Sequence, residues 1–389
     1  MLKMAAASNT NEVKFMIEKT NKTARTGTLS LNGKKPVQTP AFLVETMGGT
    51  LHVIPLDLLE ELAIDLALID LTNVEELTKL RNPSSLFSLP ESIHTFACCT
   101  HMKQSELVSE RGVMIETTAG RKEITPECLI TSTSLLKPDF LIGLSDEPPS
   151  SCGSKRIKKA ADRNLKWLKT CSELKLPKNI HEKEDQDKVS CSSLIGVITG
   201  GVNPYENKRC AEGIAKLATP GVVVGNIGCG ESPEMRRSIV ETALGQLPTD
   251  TFRIAINGFL TPPELMDAVS LGFDIISTTL PNMLTLNGQA LCLPLTCESP
   301  SNDNTQQNIN LRDSKYIKDA SPLMSDCACH ACKHHTRAYI HHLLIAHEML
   351  GEVLLNVHNH HHLLEFFSAM RQHLHDGTFE QYRQIIDPH

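Results

Sequence analysis

Aromatic side chains are scarce in this chain of 389 residues, at 4% with a single tryptophan. Its core must therefore be mainly aliphatic, which an apolar content of 40% can supply. Basic residues are in no surplus: 38 Lys and Arg against 45 Asp and Glu leave a net charge of −7. That balance excludes the broad basic footprint of a nucleic-acid-binding domain and leaves room only for a local patch. No continuous apolar run approaches the ~20 residues of a membrane-spanning helix. The opening Met1-Leu2-Lys3-Met4-Ala5 lacks the apolar core of a signal peptide. The expectation is a soluble, cytoplasmic protein. The 13 cysteines are odd in number and scattered over a chain far too large to need disulfide staples. Those in apolar segments, such as Cys171 and Cys292, read as reduced core residues.

Residues 1–22 form a polar arm with one strand expected at 13–17. Beyond it, apolar β-branched runs alternate with amphipathic stretches. The runs at 37–45, 66–72, 113–118, 140–145, 194–201, 222–228, 253–258 and 274–280 predict strands. Helical patterns fall between them, including 55–62, 73–79, 154–171, 206–217, 233–245 and 262–271. Two helices open on clear start signals: Ser232-Pro233 with Glu234, and Thr261-Pro262 with Glu264. Strands covered on both faces read as unbroken apolar runs, as these do. Eight such units over residues 23–293 predict an α/β fold, a TIM-type (β/α)8 barrel, with an open doubly wound sheet as the alternative. Residues 294–326 read as a polar linker and 327–389 as a zinc-binding helical subdomain. The polar stretches 178–189 and 298–310 cannot bury enough apolar surface to order themselves and are expected to be mobile surface loops.

Cys327, Cys329 and Cys332 give C-x-C-x2-C, compact enough for one loop to present three thiolates to one zinc ion. A fourth ligand must come from elsewhere, and 13 of the 17 histidines lie between His330 and His389. From Thr336 the chain reads as a helix with Leu343, Ala346, Leu350, Leu354, Val357 and His358 along one stripe. His358 ends that stripe and can point inward. His341 and His347 lie off it, His334 and His335 stand too close to the cysteines, and His360, His361 and His362 remain in reserve. Three sulfurs and one nitrogen make a closed site, which is structural rather than catalytic. Unliganded, reduced cysteines and solvated surface histidines are the plainer alternative.

The C-x-C-x2-C motif and the histidine some 25 residues later resemble the zinc signature of the tRNA-guanine transglycosylase family. Other segments carry the resemblance across most of the chain. Thr23-Ala24-Arg25-Thr26-Gly27 with Thr39-Pro40-Ala41-Phe42 is similar to the family's opening. Ile198-Thr199-Gly200-Gly201 resembles its I-Q-G-G motif. Gly225-Asn226-Ile227-Gly228 and Gly230-Glu231-Ser232 resemble its I-G-G-L and G-E-S segments. Leu280-Pro281 matches the end of its last barrel strand. The resemblance implies a zinc-bearing barrel that exchanges a guanine in a tRNA anticodon for a modified base or its precursor, queuine in eukaryotes. It also implies an aspartate nucleophile that forms a covalent ribosyl-enzyme, the logic of retaining glycosidases.

Set against the family pattern, the chemistry is depleted. The nucleophile position holds Ser277, whose hydroxyl lacks the charge to stabilise an oxocarbenium ion, and no base is evident to activate it. Asp274 cannot substitute, because strand positions three apart face opposite sides. The family's D-S-G-G-F-Q, which carries its acid/base aspartate, has no counterpart near Cys98-Cys99-Thr100-His101-Met102-Lys103-Gln104. Asn226 breaks the base-recognition glycine pair, and Asn282-Met283-Leu284-Thr285-Leu286 replaces the arginine-bearing T-R-N-A-R. Ser145, Asp146, Gly200, Gly201 and Asn226 are what remains of a pocket, with Ser145 or Asp146 at the family's base-reading aspartate. The resemblance therefore implies a non-catalytic accessory subunit that pairs with a catalytic queuine tRNA-ribosyltransferase subunit and reaches tRNA through the complex. The family dimerises around its zinc subdomain, so the partner face should include the helix at 336–358. A cytoplasmic location is expected, with peripheral association on the mitochondrial outer membrane as the family alternative. Two other readings stay open: an independent barrel enzyme with altered chemistry, and a tRNA-contacting module using Lys155, Arg156, Lys158, Lys159, Arg163, Lys166 and Lys169.

Overall fold

The computed structural model describes residues 13–31, 33–47, 49–71, 89–99, 108–117, 120–175, 192–228, 230–297 and 307–387. The helix expected at 73–79, the polar stretch 178–189, residues 100–104 and residues 298–306 lie outside them.

Eight parallel strands close into a barrel in which each strand pairs with its sequence neighbours and the last pairs with the first. They are β1 (Ala41–Glu45), β2 (Leu66–Asp70), β3 (His94–Cys98), β4 (Phe140–Ile142), β5 (Ser193–Ile198), β6 (Gly221–Val224), β7 (Phe252–Ile256) and β8 (Ile275–Ser277). Alternation along each strand divides the apolar residues between two layers. Leu43, Leu68, Phe96, Phe140, Ile195, Val223, Ile254 and Ile275 fill the interior. Phe42, Val44, Ala67, Val222, Val224, Ala255 and Ile276 pack outward against the helices. The interior holds stacked Phe96 and Phe140, with centroids 4.4 Å apart, and Phe252 edge-on to both.

Seven of the eight expected strands lie in this barrel. The run at 113–118 does not: Val113–Thr117 pairs with Gly120–Ile124 in a separate antiparallel hairpin. The missing strand is β3, whose His94 and Thr95 interrupt its apolar pattern. His94 is buried there because its Nε2 lies 2.8 Å from the Lys35 carbonyl oxygen. Thr95 meets Asp139 through both its backbone N–H and its hydroxyl. Partners distant in sequence therefore make polar residues acceptable in a buried strand.

Three antiparallel strands, Val13–Asn21, Ala24–Leu31 and Val37–Thr39, cover the end where the barrel strands begin. Phe15, Leu29 and Val37 join the interior cluster from below. Arg25 reaches Asp274 through Nε to Oδ1 at 2.8 Å and Nη2 to Oδ2 at 2.6 Å, and the Arg253 N–H donates to Oδ2 at 2.7 Å. Asp274 is thereby fixed at the barrel floor, away from the mouth.

Helix starts follow the sequence signals. Ser232 caps Pro233–Leu244, and Thr261 with Glu264 forms a reciprocal capping box on Pro262–Ser270. The single helix expected from Thr336 is instead two, Arg337–Ile345 and Met349–Asp376, separated by a turn in which His347 takes φ +56°. The second helix lays Val357, Leu363, Phe366 and Phe367 into the outer barrel core, with Phe367 stacked on Phe42 at 5.8 Å. Each such aromatic contributes roughly 1.5–3 kcal/mol by burial. Residues 308–310, at the end of the expected loop 298–310, form a strand against Gln289–Leu291 and bury Ile309. Among the described residues no helix is long and apolar enough to cross a membrane.

Candidate metal centre and barrel mouth

The turn before helix His330–His334 presents Cys327 and Cys329, and the helix itself presents Cys332, towards the long helix Met349–Asp376. Together with His358 they place one ligand atom each within 4.8 Å of one another. The Nδ1 atom of His358 lies 3.6 Å from Cys327 Sγ, 3.5 Å from Cys329 Sγ and 3.4 Å from Cys332 Sγ. A tetrahedral ion with ~2.3 Å bonds to sulfur and ~2.0–2.1 Å to nitrogen needs S···N edges of about 3.6 Å. The spacing therefore fits one tetrahedral ion, and the four residues could hold a metal.

Further contacts prepare the site. Across the ring, His358 Nε2 lies 2.8 Å from the Leu291 carbonyl oxygen, which leaves Nδ1 free for a metal. The Cys332 N–H points at Cys329 Sγ, 3.4 Å away. Hydrogen bonds from Cys329 and Cys332 lower the pKa of the Cys327 thiol, and the same contact with Cys327 raises that of Cys329. Burial alone would keep His358 neutral, yet hydrogen bonding to Cys292, Cys327 and Cys332 raises its pKa well above the usual imidazole value. Three sulfurs this close ionise together only around a cation, which matches a thiolate-binding divalent ion.

The other histidines take separate places. His341 is buried against the Leu311 carbonyl, His360 against that of Asn356, and His362 meets the Leu293 N–H and carbonyl. His361 has its Nδ1 3.7 Å from Cys327 Sγ, on the edge of the cluster.

At the barrel mouth, where the strands end, described side chains pair with one another. Ser277 is fully buried at the end of β8, and its hydroxyl donates to Glu45 Oε1 at 2.6 Å. Glu45 is thus a carboxylate beside Ser277 that no sequence pattern revealed. It ends β1, 232 positions away in sequence, and only barrel closure makes the two strands neighbours. Asp146 turns away from the mouth. Arg156 grips it through two bonds of 2.7 and 2.6 Å, and Arg163 adds a third at 3.0 Å. These two arginines are therefore spent internally, whereas Lys155, Lys158, Lys159, Lys166 and Lys169 on the same helix, Ser154–Lys175, are exposed.

Glu147, which no motif singled out, takes the inward place. It accepts from Ser145 Oγ at 2.6 Å and from the Asn226 N–H at 2.9 Å. Asn226 has φ +60°, a conformation that asparagine tolerates where glycine is usual. Its side chain donates to the Pro148 carbonyl at 2.8 Å and accepts the Gly201 N–H at 3.2 Å. Gly200 must be glycine because a Cβ there would lie 2.3 Å from the Asn207 nitrogen. Ser145 and Asn226 are thus brought together around Glu147, Gly201 joins them through Asn226, and Gly200 packs on Asn207. The cavity beneath, lined by Cys98, Ile142, Val197 and Ile256 among others, measures about 20 Å³.

Comparison with known proteins agrees with this architecture. A family profile described as queuine tRNA-ribosyltransferase matches residues 19–387. Queuine tRNA-ribosyltransferase accessory subunit 2 of Xenopus laevis is 28% identical, over 96% of this chain and 99% of its own length. The human protein of the same name is 30% identical over 80% of this chain and 82% of its own. A queuine tRNA-ribosyltransferase of a Synechococcus strain is 32% identical over 70% and 68%.

Proposed function

Because this chain belongs to the queuine tRNA-ribosyltransferase family, we propose that it is a non-catalytic accessory subunit of a queuine tRNA-ribosyltransferase complex. In this reading it pairs with a catalytic chain and supports exchange of guanine for queuine at the anticodon wobble position of tRNA. The observation that carries the reading is Ser277. Breaking a ribose–base bond passes through an oxocarbenium-like centre that needs a facing carboxylate. The end of β8 offers instead a hydroxyl already committed to Glu45.

The Cys327, Cys329, Cys332 and His358 cluster binds one zinc ion in this proposal. With four protein ligands the ion has no open position, so it holds shape and does no chemistry. The partner surface lies beside it. Met283 and Leu286 on helix Leu280–Leu286, with Ile345, Met349 and Leu350 at the corner of the two C-terminal helices, leave large apolar side chains exposed. Arg312 bridges the two groups, packing on Gly288 and donating to the Leu344 carbonyl. Exposed apolar patches of this kind mark protein interfaces.

Exchange of labelled guanine in tRNA should be measured for this chain alone, the catalytic chain alone and the mixture. Activity is expected only in the mixture or above the catalytic chain's own level, with co-elution as a one-to-one complex. Two separate gel-filtration peaks would refute the pairing.

One contact favours a second reading. Glu45 is placed to take a proton from Ser277, the arrangement of an activated serine nucleophile. Base exchange by this chain alone, abolished by Ser277→Ala, would establish that reading instead.

A further inference from the structure

We infer that Glu147 is a built-in ligand of the barrel mouth: its carboxylate occupies the donors that would otherwise face a bound molecule. Ligand access to this mouth is independent of whether the chain meets a catalytic partner.

The C-terminal ends of barrel strands are where this architecture places its binding sites. Here the loops after β4 and β6 converge on one carboxylate, and the loop after β5 joins them through Asn226. One oxygen takes the Ser145 hydroxyl at 2.6 Å, and the other takes the Asn226 N–H at 2.9 Å. The same oxygen would stand 2.9 Å from a Cβ on Gly225, so the carboxylate lies flat against that glycine's backbone. Asn226 extends the clasp sideways to Pro148 and Gly201. A hydroxyl and an amide N–H aimed at one planar acceptor are the donors a small anion or a base carbonyl would need. The chain itself supplies that acceptor, and the cavity below it measures about 20 Å³ among the described residues. That is room for about one water, against the roughly 300–1,000 Å³ of ordinary small-molecule sites.

Glu147→Ala vacates the volume of one propionate while both donors stay in place. Thermal unfolding should be compared for wild type and E147A in about 100 mM sodium chloride and in sodium propionate of equal ionic strength. E147A should melt roughly 2–6 °C lower in chloride and regain most of that loss in propionate, whereas wild type should melt equally in both salts. Hydrogen exchange at the Asn226 amide should be slow in wild type and at least tenfold faster in E147A. Calorimetric titration of wild type with guanine should show no saturable binding. Equal melting of E147A and wild type, no recovery of E147A in propionate over chloride, or saturable guanine binding to wild type would each overturn the inference. Should E147A not fold, the exchange rate of Asn226 in wild type decides alone: exchange at the rate of an open loop overturns it.

Discussion

Replacing Ser277 by aspartate asks whether one missing carboxylate is all that separates this barrel from a catalytic one. Ser277 is fully buried, with its hydroxyl 2.6 Å from Glu45 Oε1. S277D puts a second carboxylate into that contact. At about 4 Å and an effective dielectric constant of ~20, two like charges repel by about 4 kcal/mol. One of the pair will therefore keep a proton in the folded state, with its pKa raised above the ~4 it has in the unfolded chain. The sign follows. At neutral pH the folded variant binds a proton that the unfolded chain has released, so its stability falls as pH rises from about 4 towards 7. The cost of S277D should be roughly 2–3 kcal/mol larger at about pH 7.5 than at about pH 5. Urea unfolding at both pH values reads this, with Ser277→Asn as the uncharged control. Adding Glu45→Gln to S277D should remove most of the pH dependence. A S277D variant whose stability matched S277N at both pH values would refute the placement of Glu45. S277D should also remain without base exchange on its own, since Glu147 still occupies the Ser145 and Asn226 donors.

Metal analysis should find one zinc per chain, and His358→Ala or Cys332→Ser should lower that content and the melting temperature together; full zinc content in either variant would exclude the assigned ligands. Asp274→Ala leaves the buried Arg25 guanidinium without its acid and should cost about 3–5 kcal/mol in urea unfolding, whereas a loss under about 1 kcal/mol would show the pair to be solvated. Met349→Glu combined with Leu286→Glu should abolish co-elution with the catalytic chain while zinc content stays unchanged. A complex that survives both substitutions would place the partner face elsewhere.

Much of this protein was legible in one dimension because the relevant physics is local. Three cysteines within six positions can converge only around a small centre, whereas the packing of the long helix picks His358 from several buried histidines, since the expected stripe crosses the break at His347 and leaves Leu350 exposed. Seven barrel strands announce themselves because burial on both faces demands unbroken apolar runs. Helix starts at Ser232 and Thr261 are set by side chains one turn away from the amides they cap. What only the tertiary structure decided are the contacts between segments far apart in the chain. His94 and Thr95 disguise β3 until Lys35 and Asp139 supply their partners. The choice between Asp146 and Glu147 turns on which neighbour has arginines within reach, and Arg156 and Arg163 take Asp146. Glu45 meets Ser277 only because a closed barrel sets its first strand beside its last. Sequence pattern thus determined most of the scaffold and the three-cysteine loop, because each depends on periodicity or short spacing. The state of the mouth was decided by closure, which brings together charges that no spacing rule connects.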